Sequence, residues 1–298
     1  MRVGLAKFPY AGQYGLTEIG DSGDVIENSG LRPLIEELGC EITDSRTAKL
    51  TAEEEKQYGT QNRMGHGNRH LAEIVSAQLK DGLFPIGLLQ NCNGLMGMLA
   101  GVQHSGPGWK PIKAGLVWVD AHGDFNTPET TLSGMLGGMP VAISTGQCLH
   151  MLRRTCGLEP ALPTKYVTMV AVRDTDPWEQ DAIDRSDIEH VTAEEVRSLS
   201  ANIDRQMGRL GDLVDQIYVH VDMDVLDPPD IPGHGLPVAG GPTRKELAAA
   251  LGQMFQHPKA CSFGIASYPS RHDPEKIGLR SVYALIEGVL KGVQSRAD

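Results

Sequence analysis

Short apolar runs alternate along the chain with longer segments of helical periodicity, the pattern of βα units that build a sheet covered by helices on both faces. The runs predict strands at Val3 to Phe8, Phe84 to Leu89, Gly115 to Asp120, Tyr166 to Val172, Gln216 to Val221 and Cys261 to Ile265, with a further short strand near Glu41 and Ile42. Several are followed by Gly, Asn or Asp, where the chain turns. The periodic segments predict helices at Leu31 to Leu38, Arg69 to Leu79, Leu95 to Val102, Ala193 to Leu199, Ile203 to Leu210, Arg244 to Phe255 and Leu279 to Val293. In the last, positions 279, 282, 285, 286, 289, 290 and 293 are apolar at helical spacing, which makes an amphipathic closing helix. Thr243 caps the helix before it, and Glu246 three residues on completes a capping box. No repeat, low-complexity segment or long linker divides the chain, so one domain over residues 1–298 is expected.

Composition narrows the class. The 298 residues are 40% hydrophobic with 35 glycines, a soluble globular composition. Lys and Arg number 27 against 38 Asp and Glu, and a formal charge of -11 excludes a chain that coats nucleic acid. The opening MRVGLAKFPY has no long apolar stretch followed by a cleavage pattern, so neither a secretion signal nor a membrane span is expected. The five cysteines, at 40, 92, 148, 156 and 261, are odd in number and form no CxxC pair. A reduced, cytoplasmic setting follows as the expectation. Four of them read as small buried hydrophobes, while Cys92 belongs to the chemistry below.

The strongest local signal is Leu116-Val117-Trp118-Val119-Asp120-Ala121-His122-Gly123-Asp124. An apolar strand delivers two carboxylates and an imidazole at its C-terminal end, where ligands lie in open parallel sheets. Such O and N donors suit manganese, iron, nickel or zinc; the structural alternative is an Asp-rich turn with capping side chains. Ile217 to Pro228 repeats the design, ending in Asp222, Asp224 and Asp227. Buried carboxylates need a counter-charge, and two acidic strand ends remote in sequence can share one metal cluster. Two cations about 3.5 Å apart would supply hydroxide at neutral pH, which points to hydrolysis, with a single metal as the variant.

These residues resemble the arginase/agmatinase family of ureohydrolases. Asp120-Ala121-His122-Gly123-Asp124 is similar to its DAHxD segment, with Phe125-Asn126-Thr127-Pro128 like the NTP-type continuation. Asp222-Met223-Asp224-Val225-Leu226-Asp227-Pro228 is similar to DxDxxDP, and Arg173-Asp174-Thr175-Asp176-Pro177 to RDxDP. Gly235-Leu236-Pro237 with Gly240-Gly241 fits the later glycine-rich substrate loop. The resemblance implies a three-layer α/β/α domain with a mainly parallel central sheet and a dimanganese site. Its chemistry is attack by metal-bound hydroxide on a guanidinium or amidine carbon. Carried over by position, Cys92, Asp120, Asp124 and Asp222 would hold one metal and Asp120, His122, Asp222 and Asp224 the other, with Asp120 and Asp222 bridging. Asp124 would also hold the nucleophile by a hydrogen bond. Asn126, Ser133 and Asp176 become candidate contacts to a small guanidino or amidine substrate; Asp176 also reads as a helix cap. A homo-oligomer, trimer or hexamer, is implied as well.

Three departures stand out. In Gln90-Asn91-Cys92-Asn93-Gly94, where the family has GGDHS, Cys92 occupies the ligand-histidine position; a thiolate is softer and more negative than imidazole, so altered metal preference is expected. Gly137 stands where arginases have a histidine implicated in proton transfer, and Met135 where they have an asparagine. Ala266-Ser267-Tyr268 lacks the glutamate that meets the guanidinium, which favours a less basic substrate. His234 is the first candidate for the lost proton shuttle, against a surface role; His104, His150 and His272 are weaker. His220 reads as a packed strand histidine. Hydrolysis of a C–N bond in a linear amidine, guanidino or modified-guanidino compound is the leading expectation. The alternatives are a noncatalytic metal- or metabolite-binding family member and nucleophilic catalysis by Cys92, for which no local His or acid arrangement speaks.

Overall fold

The computed structural model describes residues 1–11, 21–108 and 110–297. Eight parallel strands form one sheet: β1 Arg2–Phe8, β2 Glu41–Thr47, β3 Phe84–Leu89, β4 Ala114–Val119, β5 Val167–Val170, β6 Glu189–Val191, β7 Gln216–Asp222 and β8 Ala260–Ala266. Their order across the sheet is β2-β1-β3-β8-β7-β4-β5-β6.

Alternation along each strand supplies two hydrophobic layers. In β4, Val117 and Val119 join one core with Ile217, Val219 and Phe263, beneath helices Ala193–Arg197, Ala201–Leu213, Arg244–Met254 and Ile277–Gln294. Leu116 and Trp118 face the other core, beneath helices Thr60–Lys80, Leu95–Gln103 and His150–Thr155. Central strands β3 and β4 are buried along their whole length, which is why they read as unbroken apolar runs. The result is the expected α/β/α layering.

Several expectations need correcting. The Tyr166 to Val172 strand spans only Val167–Val170, because Ala171 takes a left-handed φ of 62° and turns the chain. The short strand near Glu41 runs on to Thr47. The helix expected from Arg69 begins at Thr60, because glycines that weaken its propensity serve close packing instead. A Cβ on Gly65 would stand 2.7 Å from the Thr155 side chain. Strand β6 and the helices Ser22–Ile26, Ala52–Glu55, Pro140–Ser144, His150–Thr155 and Pro177–Asp184 are additional. The Thr243–Glu246 capping box is present. Cys261 is partly exposed rather than buried like Cys40, Cys148 and Cys156.

Candidate active site

The strand order explains how residues far apart in sequence meet. β3, β8, β7 and β4 are consecutive neighbours, and their C-terminal ends deliver Cys92, Ser267, Asp222 and Asp120 to one place. The ends turn sharply there: Asp124 and Ser267 take left-handed φ values of 46° and 66°. Non-glycine residues in that region cluster at functional sites.

The side chains interlock. Cys92 Sγ lies 2.7 Å from Asp222 Oδ2 and 3.7 Å from Asp120 Oδ2. The Ser267 hydroxyl donates to the same Asp222 Oδ2 at 2.5 Å. His122 Nδ1 is 3.1 Å from Asp224 Oδ2 and 3.5 Å from Asp120 Oδ1. Backbone amides fix the carboxylates from behind: His122 N–H donates to Asp120, Ala121 N–H to Asp224, and Asp224 N–H to Asp222. Three groups have donor atoms within 4.8 Å of one another: Cys92 with Asp120 and Asp124, Asp120 with His122 and Asp224, and Asp222 with Asp224 and His234.

Cys92 and the four carboxylates of Asp120, Asp124, Asp222 and Asp224 are buried. Burial and mutual repulsion push the carboxyls of Asp120, Asp124 and Asp222 above the usual range. Burial, with Asp222 and Asp120 alongside, likewise pushes the Cys92 thiol up. Burial works against a charged His122, yet Asp120 and Asp224 overcome it and raise the imidazole to about 12. For Asp224 the neighbouring His122 outweighs burial and holds the carboxyl low. So many buried acids beside so few cationic groups fit divalent cations, which supply the missing charge and invert this protonation pattern. Mixed O, N and S donors at this spacing are a set that could hold a metal ion.

A cavity of about 900 Å3 opens over the cluster. Asn126, Ser133, Asp174 and Asp176 line it on one side; Ser267, Tyr268 and His272 line it on another, with His234 and Leu236 on a loop between Ile231 and Val238. Asn126 donates to Asp176 at 3.1 Å, so two of the expected substrate contacts already share a hydrogen bond. His234 Nε2 is 3.8 Å from Asp222 Oδ1, while its Nδ1 accepts the Leu236 N–H. That bond assigns the neutral ring a proton on Nε2, the atom turned toward the cluster. His272 also lines the cavity, which its sequence context did not suggest. His220 is fully buried, stacked on Trp118 and bonded to the Tyr218 hydroxyl; burial lowers it to about 3, so it is a neutral core residue as expected.

Sequence reasoning missed Glu179. Its buried carboxylate accepts from Phe125 N–H at 2.7 Å and Asp176 N–H at 3.1 Å, tying the loop of Asp124 to the loop of Asp176. The signal was there: Glu179 stands three residues after Asp176, the spacing of a capping box.

Comparisons with known proteins agree with this geometry. The model of the arginase family matches residues 21–289. The arginase of Bacillus caldovelox is 32% identical over 219 residues, 73% of this chain and 71% of that protein. The arginase of Brevibacillus brevis is 29% identical over 89% of each chain. Among solved structures, the arginase of Bacillus subtilis superposes with a TM-score of 0.84 at 25% identity, covering 97% of this chain and 98% of that one. A family match over most of the chain, on an eight-stranded parallel sheet with acids at its strand ends, places this chain in the arginase family.

Proposed function

We propose that this chain hydrolyses a C–N bond in a linear amidine, guanidino or modified-guanidino compound with two divalent cations, most simply manganese. The chain is a hydrolase of the arginase family with a metal-binding cluster; the substrate, the cation and the roles below are the proposal. One observation carries it: Cys92, Asp120, His122, Asp124, Asp222, Asp224 and His234 form three overlapping donor groups at the floor of one cavity.

Cys92, Asp120, Asp124 and Asp222 would hold one cation and Asp120, His122, Asp222 and Asp224 the other. Bound there, the pair provides hydroxide at neutral pH and polarises the substrate. The residues do the rest. Asp124, ionised, orients the nucleophile by a hydrogen bond. Asn126, Ser133 and Asp176 hold the substrate's far end, and among the described residues no Lys or Arg lines the cavity, which suits a cationic tail on Asp176. His234, whose Nε2 faces the cluster, would donate as the imidazolium: it passes its Nε2 proton to the departing amine and returns to the neutral ring, in the place of the side chain that Gly137 lacks. Ser267 is neutral and bonded to Asp222, so among the described residues no free carboxylate lines the cavity at the end of β8. That favours a guanidine of reduced basicity, such as an N-hydroxylated one.

The relatives named above are arginases, and none supports a noncatalytic role. A single domain over residues 1–298, a cytoplasmic setting and a trimeric or hexameric assembly complete the reading. Five free cysteines are in keeping with a reducing compartment. None of the described helices is long and apolar enough to cross a membrane. The test is a panel of guanidines, N-hydroxyguanidines and linear amidines given to metal-loaded protein. Release of urea, hydroxyurea or ammonia from a member supports the proposal; silence across the panel with every transition metal counts against it.

A further inference from the structure

We infer that Arg173 is a positioning residue: its guanidinium holds the loop that carries His234 in register with the strand end that carries Asp222 and Asp224. This rests on the role given to His234 above.

Arg173 is half-buried, and among the described residues no carboxylate lies within ion-pair distance of it. Its donors go to main-chain carbonyls instead. Nη1 donates to Ala171 at 3.0 Å, Nη2 to Val225 at 3.2 Å and Val238 at 2.8 Å, and Nε to Ala239 at 3.1 Å. Ala171 precedes Arg173 on the turn out of β5. Val225 directly follows Asp224, and Val238 and Ala239 end the loop that began at Ile231. One rigid five-donor fork thus joins three segments whose relative placement sets the distance from His234 to Asp222.

The neighbourhood is built for the same fixed distance. Asp227 N–H donates to Pro242, Gly240 N–H to Asp227, and Arg197 to Gly240. A Cβ on Gly241 would fall 2.2 Å from the Val225 oxygen and 2.8 Å from Arg173 Nη2, so the loop stem and the guanidinium pack with no side chain between them. At the other end Gly233, in a left-handed conformation, packs against the His272 backbone. His234 therefore hangs on a short span pinned at both ends, and Arg173 makes the pin nearest the metal-ligand turn. A half-buried guanidinium with no carboxylate in ion-pair contact is costly unless its donors are satisfied, and its bonds to Val238 and Ala239 form only while the loop stays in place.

The test uses full-length, metal-loaded protein and the variants Arg173→Met, Arg173→Lys, His234→Ala and the double variant Arg173→Met/His234→Ala. Arg173→Met is expected to keep its two metal equivalents and lose about 10²-fold in kcat, the scale of a misplaced reacting group, with KM changing far less. The double variant is expected to be no slower than His234→Ala, because both changes remove one function. Lys, a single point of donation, is expected not to restore the rate. Hydrogen exchange is expected to quicken in residues 232–238 of Arg173→Met and stay unchanged in β4 and β7. Additive losses, restoration by Lys, or unchanged exchange in that segment would overturn the inference. If His234→Ala keeps its kcat, the proton role of His234 fails, and the exchange result alone decides for Arg173.

Discussion

Cys92 Sγ stands 2.7 Å from Asp222 Oδ2, so the end of β3 touches the end of β7 across the intervening β8. This contact puts a sulfur donor into a donor cluster otherwise made of carboxylates and imidazoles. With cobalt(II) bound, the protein is expected to show sulfur-to-metal charge-transfer absorption in the near ultraviolet, and Cys92→Ser to lose it. Cys92→His, a harder ligand set, is expected to shift relative affinity toward manganese. A cobalt spectrum identical in wild type and Cys92→Ser would remove Cys92 from the ligand set.

Within the cluster, Cys92, Ser267, His234 and the Asp224 amide all approach Asp222. Asp222→Asn is expected to abolish binding of both cations, since Asp222 belongs to both of the ligand sets proposed above. It is also expected to raise the Tm of the metal-free protein, because a buried repulsion disappears. Paired melts with and without chelator check both halves. The chelator is expected to lower the Tm of wild type, which binding stabilises, and to leave Asp222→Asn unmoved.

Glu179 ties the loop of Asp124 to the loop of Asp176 through the amides of Phe125 and Asp176. Glu179→Gln keeps the size but leaves only one acceptor oxygen, so one amide loses its partner, at a cost of about 1–3 kcal/mol. The expected result is a lower Tm together with a raised KM, because Asp176 lies on the substrate side. An unchanged KM would confine Glu179 to a structural role.

Much of this site was legible before the fold. Asp120, His122, Asp124, Asp222 and Asp224 sit at strand ends whose apolar runs are plain in the sequence, since β4 and β7 are buried almost throughout. Their convergence was not legible, because β4 and β7 are adjacent only through a non-sequential strand order. The Ser267 contact depends on the register of β8 against β7, where Ala266 pairs with Asp222. Strand β6 escaped notice because it has three residues, two of them exposed. The carbonyls that Arg173 grips leave no side-chain signature at all.

Away from the site, Glu54 offers a pH test. Burial opposes its ionisation, but the Thr51 amide, His70 and the Thr51 hydroxyl hold the carboxyl down from 4.5 to about 2. A depressed value means stabilisation that is present above 4.5 and is lost as pH falls from there to about 2. Glu54→Gln is therefore expected to melt below wild type at neutral pH, with the gap closing as pH falls through that window. A gap that stays constant with pH would show that the carboxylate's charge contributes nothing.

The central claim is a pair of cations held by these side chains, and elemental mass spectrometry of freshly purified, untagged protein tests it most directly. The account predicts close to two transition-metal equivalents per chain, and none in Asp120→Asn/Asp222→Asn. Metal-free wild type that takes up nothing when manganese, iron, cobalt, nickel or zinc is added would contradict it.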